Sequence, residues 1–157
     1  MRIPHAHQIN NYYCGPAILQ MVLAAHGMRQ TQKKLAKLAG TNSRIGTSTR
    51  GMIQALDSFN LEVASGNKKN LADIRQELAK GSIIIVAYTE LHWQWGHYAI
   101  VLGYKGKNIH LLDPTERLGT VIVLPAKEFD KRWKDPMFTK TDHWAAFVSA
   151  PKSIQKK

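Results

Sequence analysis

Along the first half of the chain, apolar positions recur with helical spacing. Along the second half they gather into short β-branched runs. Ala17, Ile18, Met21, Val22 and Ala25 follow the i, i+3, i+4, i+7 rhythm, and Leu19, Leu23 and Ala24 fill most of the remaining faces. A helix that is apolar nearly all round is a buried, central one. Pro16 suits its first turn, where a missing N–H costs nothing, and Gly27 is placed to stop it. Thr31 caps a second, shorter helix carrying Leu35 and Leu38 and closed by Gly40. Thr47 or Ser48 caps a third, with Met52, Ile53, Leu56 and Phe59 on one face. Residues 61–64 read as a short strand. Asn70 then caps a fourth helix, with Asp73 in its first turn, Leu71, Ile74 and Leu78 along it, and Gly81 after its end.

From residue 82 the pattern changes. Residues 82–89 form a β-branched run that reads as a buried strand. Residues 97–104 and 108–112 are two more strands around a Lys105-Gly106-Lys107 turn. Asp113-Pro114 ends the second of them, because proline cannot donate to a ladder. Residues 120–124 give a further strand, Pro125 starts a short helix to about Trp133, and residues 143–149 give a last strand. Helices first and antiparallel strands second predict an α+β architecture, with a helical half packed on a sheet half. Residues 1–150 read as one domain, and residues 151–157 as a basic tail.

Composition adds bounds. A chain of 157 residues, 44% hydrophobic and 21% charged, has the make-up of an ordinary globular protein with a sizeable core. The apolar run at residues 83–87 is far too short to span a bilayer, and the N-terminus lacks the apolar stretch of a signal peptide. The expectation is a cytoplasmic protein, or a domain of a longer one, with no membrane span. A single cysteine excludes an internal disulfide. The formal net charge of +11 raises the question of nucleic acid, but the lysines and arginines are scattered and no nucleic-acid motif accompanies them. An acidic partner is the better expectation, with no nucleic acid bound.

The lone thiol, Cys14, stands where the central helix should begin, the place where unpaired N–H groups and the helix dipole stabilise a thiolate. A thiolate nucleophile needs a base in reach and a third group to orient that base. Of seven histidines, His5 and His7 fall in an unstructured start, His26 ends the helix, His110 is inside a strand, His143 opens the last strand, and His92 and His97 flank Trp93-Gln94-Trp95-Gly96. His97 opens a strand at a sheet edge and is the preferred base. A three-residue hairpin loop would set Tyr104 opposite Asn108 and Ala99 opposite Asp113, which brings Asp113 to the His97 face; a two-residue loop would turn it away. Gln8, six residues before Cys14, could pair its amide with the Cys14 backbone N–H as an oxyanion hole. His5-Ala6-His7 lacks a wider ligand cluster, so neither a metal nor another cofactor is expected.

This ordered set resembles the papain-like cysteine peptidases of the bacteriocin-processing, double-glycine type, cysteine peptidase family 39. The resemblance rests on Gln8, on Cys14-Gly15 with the hydrophobic helix after it, and on Gly46-Thr47-Ser48 before Gly51-Met52. It continues through His97 opening a hydrophobic strand that ends at Gly103, then Asp113-Pro114, then Gly119, and covers about residues 3–148. It implies a papain-like fold with Cys14 as nucleophile, His97 as general base and then acid, Asp113 as the orienting group and Gln8 in the oxyanion hole. It further implies a peptide or protein substrate, such as a leader peptide cut after Gly-Gly, with Trp93, Trp95 and Tyr98 as walls of a narrow cleft. An exporter or secretion system is the implied partner. Two features depart from the family pattern: Tyr13 stands where many members have an acid, and no transporter sequence accompanies the domain. The rival expectations are a deamidase or other acyltransferase on the same scaffold, a non-catalytic peptide-binding module, and a basic nucleic-acid-binding domain.

Overall fold

Capping chemistry sets the helical half. In a computed structural model, which describes residues 2–115 and 121–151, the first four helices are α1 (Cys14–Ala25), α2 (Gln32–Ala39), α3 (Thr49–Asp57) and α4 (Leu71–Ala79). Thr31 accepts from the Lys34 N–H at the start of α2, and Ser48, rather than Thr47, accepts from the Gly51 N–H at the start of α3. Asn70 and Asp73 form a reciprocal capping box on α4. α1 differs from all three. Its N-cap is Tyr13, no side chain caps it, and its third residue is Pro16. The N–H groups of Cys14 and Gly15 therefore open its first turn without a side-chain acceptor.

The strands are β1 (Leu61–Gly66), β2 (Ile83–Thr89), β3 (Gly96–Lys105), β4 (Asn108–Leu112), β5 (Val121–Pro125), β6 (Lys134–Asp135), β7 (Thr141–Asp142) and β8 (Ala145–Pro151), with α5 (Ala126–Arg132) between β5 and β6. Six of them form one antiparallel sheet in the order β1-β8-β2-β3-β4-β5. β2 lies inside it and is buried on both faces, which explains its unbroken apolar run. One face, with Ile83, Ile85, Ala87, Tyr98 and Ile100, packs under α1. The other, with Ile84, Val86, Tyr88, Ala99 and Val101, packs with Ile74 of α4 and Phe129 of α5. This is the α+β arrangement that the periodicity predicts. Among the described residues no helix is long and apolar enough to cross a membrane.

Three local readings need correction. The β3–β4 loop has two residues, Gly106 and Lys107, because Lys105 pairs with Asn108. That even length on its own would turn Asp113 to the wrong face. A bulge restores the register: Gly103 pairs with His110 but Val101 pairs with Leu111, so Leu102 is an extra residue on β3. Continuing that register sets Ala99 opposite Asp113 after all. The last strand begins at Ala145, not at residue 143, because His143 has φ 56° and its ring bonds Asp142 at 2.7 Å and Asp130 at 3.0 Å. The small β6–β7 hairpin has no counterpart in the sequence pattern. The start of the 120–124 strand, Gly119 and residues 152–157 of the basic tail lie outside the described residues.

Candidate active site

Cys14 is the first residue of α1 and is only partly buried. His97 is the second residue of β3, 9% exposed, opposite Tyr88 on β2. Strand alternation puts His97, Tyr88 and Asp113 on the sheet face that carries α4 and α5, while Cys14 comes from the helix on the other face. They meet at the end of the sheet. His97 Nε2–H donates to Asp113 Oδ1 at 2.9 Å, which leaves Nδ1 for Cys14, whose charge and hydrogen bond act on the ring.

Asp113 is 1% exposed and saturated with donors. Besides His97, Oδ1 accepts from the Thr115 backbone N–H at 2.8 Å and from the Thr115 hydroxyl, and Oδ2 accepts from the Tyr88 hydroxyl at 2.8 Å. Burial pushes its pKa up, but the bond and charge of His97 and the two Thr115 bonds outweigh that and hold it at about 2. For His97, burial works against the charged form. The Cys14 charge, the Asp113 bond, the Cys14 bond and the Asp113 charge together outweigh it and raise the pKa well above the usual histidine value. His97 is therefore held between the Asp113 carboxylate and the Cys14 sulfur, an arrangement that favours its charged form.

Gln8 is 9% exposed and lines the same cleft as Cys14 and His97. Its Nε2 donates one hydrogen to the Asn10 carbonyl at 2.7 Å, while its Oε1 is buried without a protein partner. Among the described residues nothing accepts the second Nε2 hydrogen. His5, expected in a free terminus, instead donates from Nε2 to the Asp113 carbonyl at 3.0 Å, and the Gln8 N–H bonds the Pro114 carbonyl at 3.0 Å. The segment before α1 is thus laced to the end of β4.

The cleft has a volume of about 800 Å³. Trp93 and Trp95, 64% and 54% exposed, stand on its rim with ring centroids 6.4 Å apart. Tyr98 forms part of its floor: it is buried, and its hydroxyl donates to the Thr47 carbonyl at 2.8 Å. Two glycines let the walls close up. A Cβ on Gly15 would lie 2.5 Å from the Thr47 hydroxyl, and one on Gly96 would lie 2.0 Å from the Asp135 carboxyl carbon. Asp135 in turn is held by the N–H groups of Met137, Phe138 and Thr139, which shapes the loop between β6 and β7. Of the other candidate bases, His5 bonds the backbone of Asp113 rather than its carboxylate, His7 lines the cleft, and His92 is exposed on the β2–β3 loop. Sequence reasoning misses Tyr88, Thr115, Thr47 and the Asp135 loop. Only cross-strand register brings Tyr88 to Asp113, and no local pattern encodes it.

The family model described as the Peptidase C39 family matches residues 2–143 of the chain. Among relatives, an uncharacterised protein of Methanothermobacter thermautotrophicus is 37% identical over 116 residues, 74% of this chain and 73% of its own length. The mesentericin-Y105 transport/processing ATP-binding protein MesD of Leuconostoc mesenteroides is 26% identical over 84% of this chain, which spans only 18% of MesD. Among solved structures, the peptidase domain of Streptococcus ComA, a bifunctional ABC transporter, superposes with a TM-score of 0.76 at 21% identity. It covers 95% of this chain and 99% of that domain. A double-glycine-motif protease from an AMS/PCAT transporter, in complex with leader peptide, gives 0.70 at 21% identity over 95% and 93% of the two chains. These likenesses establish the papain-like α+β fold.

Proposed function

The chain belongs to the Peptidase C39 family, and on that premise we propose that it is a cysteine peptidase that cuts a peptide or protein precursor through a thioacyl intermediate. The observation that carries the reading is the His97–Asp113 bond beside a thiol at an uncapped helix start. Cys14 attacks the scissile carbonyl as a thiolate, formed by proton transfer to His97. The tetrahedral oxyanion is held by the Cys14 N–H and the second hydrogen of the Gln8 amide; such a donor typically contributes about 3 kcal/mol to transition-state binding. His97 then protonates the leaving amine, and a water activated by the same imidazole releases the acyl group. Asp113 keeps the ring in the productive tautomer and balances its charge.

The substrate we infer is an acidic leader, matched to the net charge of +11, with Gly-Gly at the cut. Trp93, Trp95 and Tyr98 line the same cleft as the thiol and are the side chains we assign to selecting small residues there. MesD couples transport to processing, and by extension the partner of this chain is an exporter.

The test combines labelling and mass. Cys14 should react with iodoacetamide near neutral pH much faster than free cysteine, and His97→Ala should remove that advantage. A Cys14 no faster than free cysteine overturns the reading. Incubation with an acidic peptide containing an internal Gly-Gly should give two fragments by mass spectrometry. Exchange of a side-chain ammonia for water, with the backbone uncut, would instead identify a deamidase.

A further inference from the structure

An oxyanion donor stabilises a transition state only if it is already in place when charge develops. Gln8 sits in residues 2–13, where there is no helix before α1 and no strand, so its position must come from elsewhere. The hydrogen bonds around it supply one. In an extended segment the C=O of one residue and the N–H of the residue two further on point to the same side, while the N–H between them points away. Here the His7 carbonyl accepts from Gln32 Nε2 at 2.9 Å, and the Ile9 N–H donates to Gln32 Oε1 at 3.1 Å. The Gln8 N–H points the other way, to the Pro114 carbonyl. One side-chain amide thus grips both neighbours of Gln8 as a partner strand would.

The grip is rigid. Gln32 is 6% exposed and is the first residue of α2, directly behind the Thr31 cap. The second hydrogen of its Nε2 goes to Gln20 Oε1 on α1 at 2.9 Å, and Gln20 Nε2 donates to the Gln30 carbonyl at 2.9 Å. The amide orientation is settled by its partners: His7 requires a donor and Ile9 an acceptor. A buried amide with three of its hydrogen-bonding sites spent on this network is more than helix N-terminal packing requires.

We propose that Gln32 is a positioning residue that holds Gln8 at the oxyanion site, transmitting the rigidity of α1 and α2 to a segment without regular structure. This rests on Gln8 acting as the oxyanion donor. Gln32 touches no substrate, and it leaves the Cys14–His97 pair alone.

Two probes separate the roles without the natural substrate. Iodoacetamide alkylates Cys14 by displacing iodide, with no tetrahedral oxygen, so it reports only on the thiolate and His97. A peptide aldehyde ending in glycinal forms a C–S bond to Cys14. The thiol–imidazole proton moves to the former carbonyl oxygen, and that oxygen occupies the oxyanion site. Gln32→Glu keeps the shape but removes both donors and faces the His7 carbonyl with an oxygen. It should lower aldehyde affinity roughly tenfold at neutral pH, with alkylation within about twofold of the parent protein. Lowering the pH protonates the introduced carboxylate and restores one donor, so the deficit should narrow; a purely structural lesion has no such signature. Should Gln32→Glu fail to fold, Gln32→Met removes the polar atoms at similar volume and should give the same loss without the pH dependence. Gln8→Ala should lose at least as much affinity, and Gln8→Ala combined with Gln32→Glu should lose no more than Gln8→Ala alone. Full aldehyde affinity in both Gln32 variants, losses that multiply with Gln8→Ala, or a parallel fall in alkylation overturns the clamp. Full affinity in Gln8→Ala with normal alkylation overturns the oxyanion assignment itself, and the clamp with it.

Discussion

The two sides of the His97–Cys14 pair are built on opposite plans. On the Asp113 side every polar group is spent: one buried carboxylate takes His97, both Thr115 donors and the Tyr88 hydroxyl. On the Gln8 side polar capacity is held back. The Gln8 amide keeps one hydrogen and a buried oxygen without protein partners, and the start of α1 has no side-chain cap. A saturated site fixes one geometry and one charge state, which is what a base needs. An under-filled site stores hydrogen bonds for a group that arrives only in the reaction. On the function proposed above, the difference teaches where each role resides: orientation of the imidazole is complete in the resting protein, and hydrogen bonds to the oxyanion are reserved for substrate.

The sharpest way to break this division is Gln8→Ala. It should lower kcat by about 10²–10³-fold while leaving iodoacetamide labelling of Cys14 nearly unchanged. A parallel loss of labelling would merge the two sides. Asp113→Asn should come next, with turnover and labelling falling together by on the order of 10²-fold, because the base loses its charge partner.

The same variant carries a pH signature. The raised His97 value places the alkaline limb of activity well above the usual histidine range, since the imidazolium is lost only as pH rises through it. Asp113→Asn should move that limb down, and so should loss of the Cys14 charge. NMR titration of His97 in Cys14→Ala is the direct check. For Asp113 the sign is opposite. Its folded value of about 2 means a contribution of about 2 kcal/mol that is present above the unfolded carboxylate value and lost as pH falls toward 2. Acid unfolding of Asp113→Asn should lack that limb. Gly15→Ala should cost about 1–3 kcal/mol in urea unfolding, because Thr47 must move. The smallest effect belongs to the rim. Trp93→Ala should raise KM a few-fold and leave both kcat and stability nearly intact, as expected for a residue 64% exposed.

Much of the site is legible in the chain, but not always for the reason the chain suggests. Cys14 at the head of α1 follows from Pro16 and the apolar spacing, both local signals. The His97–Asp113 contact follows, on the sequence alone, from a loop length that does not occur. The real loop is one residue shorter, and the Leu102 bulge on β3 restores the register. Two departures from a simple hairpin cancel. Only Gly103, an isolated glycine inside the strand, hints at the bulge; its position and effect answer to sheet curvature and to neighbours on β2 and β4. Tyr88, the Asp135 loop against Gly96 and the tie from His5 to Asp113 are contacts between distant segments, and composition carries no sign of them.

Helix starts, their caps, the buried strand at β2 and the order of helices before sheet were determined by the sequence itself, because turn chemistry and hydrophobic period act within a few residues. The tertiary structure decided the rest: which sheet face Asp113 occupies, that His97 and Tyr88 reach it, and how the irregular segment before α1 is tied to α2 and to the end of β4. Those depend on pairing across gaps of 16 to 108 residues. At such separations register and packing, rather than local preference, set which groups meet.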